Sequence, residues 1–286
     1  MSPYSIPPLL SAFSFFSLGA IVLFKSKEKF SVRSVFMLNS LTTFWWQFSW
    51  FILFNIKNES LADILVKIGY SGIIFIPASF FHFYISYLDK SKRWVYFYYA
   101  IAFIFLIILW SSKAYINNYY TYFWGYYPKA GYLHPIYLTY LTIIAIHCLS
   151  TLFLAGRQIE WKGIKGNQIK YLFVGLIIYT FASFDFLVNY GIESYPLGFI
   201  PILISLSLVA YAIIKYRLMD IKLARQYLAM NIFYGVVVSA VFIALAFFLR
   251  QWFWGISIVI FLAILLGPYL HRQMIRFLEP AFLGQT

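Results

Sequence analysis

Asp185, within "FASFDFLVNYG", is the one acid that falls inside an apolar run of membrane-spanning length. An ionisable group is expensive in hydrocarbon, and one found there marks a partner, a ligand or a proton path. Asn189 follows one helical turn later. Gln47 lies in "TTFWWQFSW" between Trp46 and Trp50, and His147 lies near the middle of another apolar run. These six residues form the candidate ligand-binding set. The carboxylate would accept from an amine or hydroxyl, the amides would bond in either sense, and the indoles would stack on a ligand. For each of them the competing role is an interhelical hydrogen bond that fixes packing. His82, five residues after Pro77, is a further polar ring of this kind. For His82 and His147 packing is the favoured role.

Other chemistry finds little support. There is no G-x-x-x-x-G-K-[ST], no H-E-x-x-H and no G-x-S-x-G in a suitable context. Cys148 is the single cysteine, so no disulfide forms within the chain. The histidines lack zinc-site spacing. No catalytic residues, metal or cofactor are expected. Lys215 raises the question of a Schiff base, but it sits at the end of its apolar run, where a lysine anchors the helix in the head groups.

The elements that position these residues follow from composition. Of 286 residues, 63% are hydrophobic and 11% are charged. A soluble domain is about 45–50% apolar and about 25% charged. The apolar runs do not alternate as barrel strands do, so the expected fold is all-α, a polytopic membrane helix bundle. Nine spans are expected, near 7–24, 34–54, 68–88, 94–111, 136–156, 171–190, 198–215, 231–249 and 253–270. With the N-terminus outside, the inner connections hold 17 of the 22 Lys and Arg residues and the outer ones hold 5. The positive-inside rule then gives N-out and C-in. The net charge of +13 faces lipid head groups, and nucleic acid is not an expected partner. The longest outer connection, "SKAYINNYYTYFWGYYPKAGYLHP", reads first as an interfacial aromatic belt and second as a lid packed over a cavity.

Three stretches carry a resemblance. They are "IPPLLSAFSFFSLGAIVLFKSKEKFSVRSVFMLNSLTTFWW", "KIGYSGIIFIPASFFHFYISYL" and "NQIKYLFVGLIIYTFASFDFLVNYGIESYPLGFIPILISLSLVAYAIIKYRLMDI". Together they resemble the N-terminal seven-transmembrane sensor region of bacterial histidine kinases, over roughly residues 5–222. The resemblance implies a sensor domain over 1–222. The apolar runs beyond it are expected to form a two-helix membrane hairpin over 223–270, and the tail a cytoplasmic output helix or linker over 271–286. The resemblance also implies a multi-pass protein of the bacterial inner membrane that is not itself an enzyme. Its partners would be the lipid bilayer, a cytoplasmic histidine kinase domain in cis or in trans, a second copy of the chain as a homodimer, and an unknown small-molecule or lipid ligand. The kinase domain is absent from these 286 residues, and the sequence is expected to be the sensor portion of a longer protein. The alternative is a small-solute transporter with its site around Asp185 and Gln47.

The charge bias makes a direct prediction. Cysteines introduced at Ser2 and Tyr119 are expected to react with an impermeant maleimide on intact cells. Cysteines at Ser91 and Gly166 are expected to react after permeabilisation. External labelling at Gly166 would overturn this orientation.

Overall fold

The computed structural model describes residues 2–216. The expected spans at 231–249 and 253–270 and the tail at 271–286 lie outside the described residues. In chain order the helices are α1 (Ile6–Lys25), α2 (Phe30–Leu53), α3 (Glu59–Ile73), α4 (Ile76–Tyr87), α5 (Arg93–Ser111), α6 (His134–Gln158), α7 (Gly163–Thr180) and α8 (Phe199–Lys215). α7 runs without a gap into a 3-10 segment, Phe181–Tyr190. Proline stands in the first turn of α1, α4 and α6, where its missing N–H is one the helix does not use. Asn58 caps α3, its side-chain oxygen accepting from the Ser60 N–H at 2.9 Å and the Leu61 N–H at 3.3 Å.

Among the described residues, five stretches are long and apolar enough to cross a membrane: Pro3–Lys25, Glu59–Tyr87, Arg93–Ser111, His134–Gln158 and Gly163–Tyr190. The apolar part of α8, Phe199–Ile213, is shorter. α2 has the length, 24 residues, but carries buried Asn39, Thr43, Gln47 and Ser49. That polarity is used inside the bundle. Asn39 Nδ2 donates to Ser79 Oγ on α4 at 3.1 Å, and the Thr43 and Tyr179 hydroxyls meet at 3.1 Å, joining α2 to α7. The outward faces are apolar instead. Ile104 and Ile107 on α5 and Ile143 and Ile146 on α6 are exposed. A bundle with its polar atoms inside and its aliphatic ones outside suits a hydrocarbon solvent.

The expectation of an all-α fold needs correction. β1 (Ile116–Tyr122) and β2 (Gly125–Ala130) pair antiparallel within the 112–135 connection. Tyr, Ile and Thr favour a pleated, half-buried surface. Gly125, at φ +142°, supplies the turn conformation after Phe123-Trp124, and Asn118, at φ +65°, lies in the bulge between Ile116 and Tyr119. The aromatic-belt reading also fails for the central rings of this connection. Tyr115, Trp124 and Tyr127 are buried, and the Trp124 ring packs edge-on against Phe54 at 5.0 Å and Tyr127 at 5.4 Å. The hairpin lies over one end of the bundle as a lid. Phe123 and Tyr132 do remain exposed, as belt residues would.

The third expected span is broken near Pro77. α3 stops at Ile73 and α4 starts at Ile76. Pro77 has no N–H for the Ile73 carbonyl one turn back. The Tyr137 hydroxyl donates to that carbonyl from α6 at 3.0 Å. Tyr137→Phe is therefore expected to lower stability by about 0.6–1.7 kcal/mol, the range for hydrogen bonds inside membranes. The loss should be smaller in a Pro77→Ala background, where a backbone N–H returns. Equal losses in both backgrounds, measured by thermal melting in detergent, would exclude the proposed role of Tyr137.

Candidate functional site

The polar chemistry of the hairpin end begins with the 3-10 segment. A run of ten residues in this form is long, because its hydrogen bonds are poorer than those of an α-helix, and such stretches often mark hinges. Two contacts from the hairpin hold it. The Tyr122 hydroxyl donates to the Val188 carbonyl at 3.0 Å, and the Tyr127 hydroxyl donates to the Asp185 carbonyl at 3.2 Å. Burial, and after it the nearby Asp185 charge, push the Tyr127 phenol well above its ordinary range, so it remains a neutral donor. Gly191, at φ +90°, ends the segment in the left-handed region.

Asp185 is buried, and its Oδ1 accepts from the Gly198 N–H at 2.8 Å. Gly198 is the residue preceding α8, so the carboxylate faces the positive end of that helix dipole. A side chain at Gly198 would collide with Asp185 Oδ2. The carboxylate thus ties the end of the sixth apolar stretch to the start of the seventh.

Asn189 opens a second chain of bonds. Its Nδ2 donates to the Tyr70 hydroxyl of α3 at 2.5 Å. That hydroxyl lies 3.3 Å from His134 Nε2, and His134 Nδ1 lies 2.9 Å from the Tyr190 hydroxyl. With the imidazole proton on Nδ1, every member donates to the next, from Asn189 through Tyr70 and His134 to Tyr190. The Asn189 Oδ1 has no hydrogen-bond partner among the described residues. Trp50 stands beside this chain. Its ring packs on Tyr127 at 5.3 Å and on Tyr70 at 6.2 Å.

Of the six candidate residues, Asp185, Asn189 and Trp50 therefore converge through Tyr127 and Tyr70. Gln47 is buried on α2. Trp46, one turn before Trp50, lines a separate cavity. His147 belongs to another contact, its Nδ1 2.8 Å from the Tyr98 hydroxyl of α5 and its ring 4.5 Å from that of Phe81. His82 lies 3.5 Å from the Tyr99 hydroxyl. Tyr70, Tyr127, His134 and Tyr190 were missed by sequence reasoning. The available signal was His134 beside Pro135, a polar ring at the start of an apolar run. No group of three or more His, Cys, Asp or Glu side chains that could hold a metal occurs among the described residues.

Stretches of spanning length, aliphatic outward faces and a sealed polar layer define a multi-pass membrane helix bundle. A family model described as the N-terminal 7TM region of histidine kinase matches residues 7–222. The chain belongs to this family, as its three quoted stretches suggest. No curated protein and no solved structure matches the chain.

Gly198 and Asp185 give a paired test. Gly198→Ala is expected to lower the melting temperature, because its methyl displaces the carboxylate. Asp185→Ala is expected to cost about 1–2 kcal/mol through loss of the cap. The double variant should lose less than the sum of the two, since the clash and the bond involve the same carboxylate, through Oδ2 and Oδ1. Strict additivity would separate the two residues.

Proposed function

We propose that residues 1–222 form the sensory input domain of a two-component histidine kinase in a bacterial cytoplasmic membrane. A small-molecule or lipid stimulus biases the bundle, and α8 carries that bias toward a cytoplasmic kinase domain, in cis or in trans. The domain itself performs no catalysis. On this reading the hairpin end is outside, the chain crosses the membrane nine times, residues 223–270 add a two-helix hairpin, and residues 271–286 form the output helix or linker. Assembly as a homodimer would suit a kinase output.

The observation that carries the reading is the Asp185–Gly198 bond. It joins a 3-10 segment beneath the lid to α8, the last described helix of the matched region. The basic residues support the orientation. Lys27, Lys29, Lys90, Lys92, Arg157 and Lys162 lie at or beside the helix ends opposite the hairpin. At that end the Arg33 guanidinium donates to the Leu23 and Ser26 carbonyls, both at 3.1 Å, satisfying the last turn of α1. The solute-transporter alternative gains nothing from the described residues, because Asp185 Oδ1 is engaged by the backbone of the same bundle.

The test uses a full-length kinase carrying this domain, reconstituted in nanodiscs. Asp185→Asn keeps an acceptor oxygen for Gly198 but removes the charge. It is expected to change autophosphorylation by about threefold or more, the shift that some 0.6 kcal/mol produces between two states. Melting should stay near wild type. A fall in melting temperature with kinase output unchanged would count against the sensory reading.

A further inference from the structure

An open groove lies between the end of α1 and the first turns of α2. Its volume is about 530 Å³, within the ~300–1,000 Å³ of sites that hold small ligands. Along α2 the lining extends from Phe30 to Leu41, about 16 Å at 1.5 Å per residue. Its two ends differ in chemistry. Arg33 and Ser34 line it close to the start of α2, while Met37, Leu38 and Leu41 line it further along. Leu38 and Leu41 are exposed. The 24 residues of α2 span about 36 Å against a hydrocarbon core of about 30 Å. The first turn of α2 therefore lies at head-group depth, and Leu41 lies in hydrocarbon.

Arg33 stands at the shallow end with its charge unmet. Its Nη1 donates to the Leu23 and Ser26 carbonyls, and its Cζ lies 5.6 Å from the ring centroid of exposed Phe30, which also lines the groove. The guanidinium is thus held between the end of α1 and a wall of the groove. Its Nε is buried, whereas Nη2 is not buried and makes no hydrogen bond among the described residues. No carboxylate lies within ion-pair distance of Arg33 among the described residues. Carbonyls satisfy donors but do not neutralise a cation, and a cation at the edge of hydrocarbon is costly without an anion. From Lys25 to Arg33 there are four basic residues and one acid, Glu28. Lys29 is taken by Asp89 at 3.2 Å, while Lys25 and Lys27 are exposed and outside any ion pair among the described residues.

The occupant that suits this groove is negative at one end and apolar along the other. A neutral lipid leaves Arg33 unmet, and a zwitterionic one brings an ammonium toward Lys25 and Lys27. Arginine bonds phosphate oxygens strongly, and basic pockets between membrane helices hold anionic head groups. We propose that the α1–α2 groove binds one anionic phospholipid, with a phosphodiester oxygen accepting from Arg33 Nη2 and an acyl chain lying along Met37, Leu38 and Leu41. The claim concerns a resident lipid, not the stimulus, and its binding is read apart from kinase output.

The full chain is equilibrated in micelles with equal amounts of phosphatidylglycerol and phosphatidylcholine bearing the same acyl chains, and bound lipid is read by native mass spectrometry. Wild type is expected to retain one phosphatidylglycerol, preferred by about fivefold or more, the effect of one basic residue at an anionic surface. Arg33→Gln should lose most of that preference. Arg93→Gln, an equal loss of charge at the same end of the bundle, should keep it. Leu38→Trp, at an exposed position in the groove, should reduce retention and keeps the test decisive if Arg33→Gln fails to fold. Equal retention of the two lipids by wild type would overturn the proposal. So would an equal loss of preference in Arg93→Gln and Arg33→Gln, since the preference would then belong to the basic face as a whole. Undiminished retention in Leu38→Trp, or displacement of the lipid by the same concentration of glycerol phosphate, which lacks the chains, would overturn it too.

Discussion

Gly198 presents its backbone N–H at the head of α8, and Asp185 Oδ1 accepts it 2.8 Å away. Inside a bilayer no water stands ready to replace a missing partner, so backbone that leaves regular pairing must be met by the protein itself. The bundle faces this demand at three places near the hairpin end, and meets each with a side chain. Tyr137 takes the carbonyl that Pro77 frees, Tyr122 and Tyr127 take carbonyls of the 3-10 segment, and Asp185 takes the amide before α8. The irregular backbone and the buried polar residues are two sides of one arrangement. Neither would be stable in hydrocarbon without the other.

The same pair of apolar stretches is fastened again at the opposite end. Gln168 on α7 accepts from the Tyr87 hydroxyl at 2.6 Å and donates to the Tyr216 carbonyl at 2.8 Å, just after α8 ends. Between the two ties, Gly175 lets α7 approach α8, its Cβ position 3.5 Å from Ser205 Oγ. α7 and α8 are thus bonded at both ends and closely packed between them. At the hairpin end, Tyr195 donates to the Tyr4 carbonyl at 2.7 Å and its ring packs against Trp124, tying the start of the chain to the same layer. On the sensory reading, a change in how the hairpin seats would move α7 and α8 together, because they are tied at both ends.

Hydropathy located some helices closely and others loosely: α3 begins at Glu59 and α7 at Gly163, well before the expected starts at 68 and 171. The expected stretches at 7–24 and 94–111 fall on α1 and α5 within a residue or so, because nothing but a helix satisfies its own backbone in lipid. The break between α3 and α4 falls at Pro77, whose missing N–H interrupts the helix ladder. The hairpin was not legible, because tyrosines and tryptophans near a membrane surface serve as interface anchors as readily as strand residues, and composition does not separate the two. Asp185 stood out as a lone charge, yet its partner did not. A bond to a backbone N–H leaves no mark in the sequence beyond Gly198 itself. Tyr70 and His134 escaped notice for different reasons. Tyrosine counts as apolar within a span, and His134 sat at the edge of a connection, where a polar residue needs no explanation.

The central claim is that the Asp185 carboxylate holds the head of α8 to the 3-10 segment. Hydrogen–deuterium exchange over residues 195–203 in nanodiscs tests it most directly, comparing wild type with Asp185→Ala. The wild-type Gly198 amide should exchange slowly. Loss of the carboxylate should speed exchange there and in the first turn of α8, while α5 remains as protected as before. Unchanged protection at Gly198 in the variant would contradict the account.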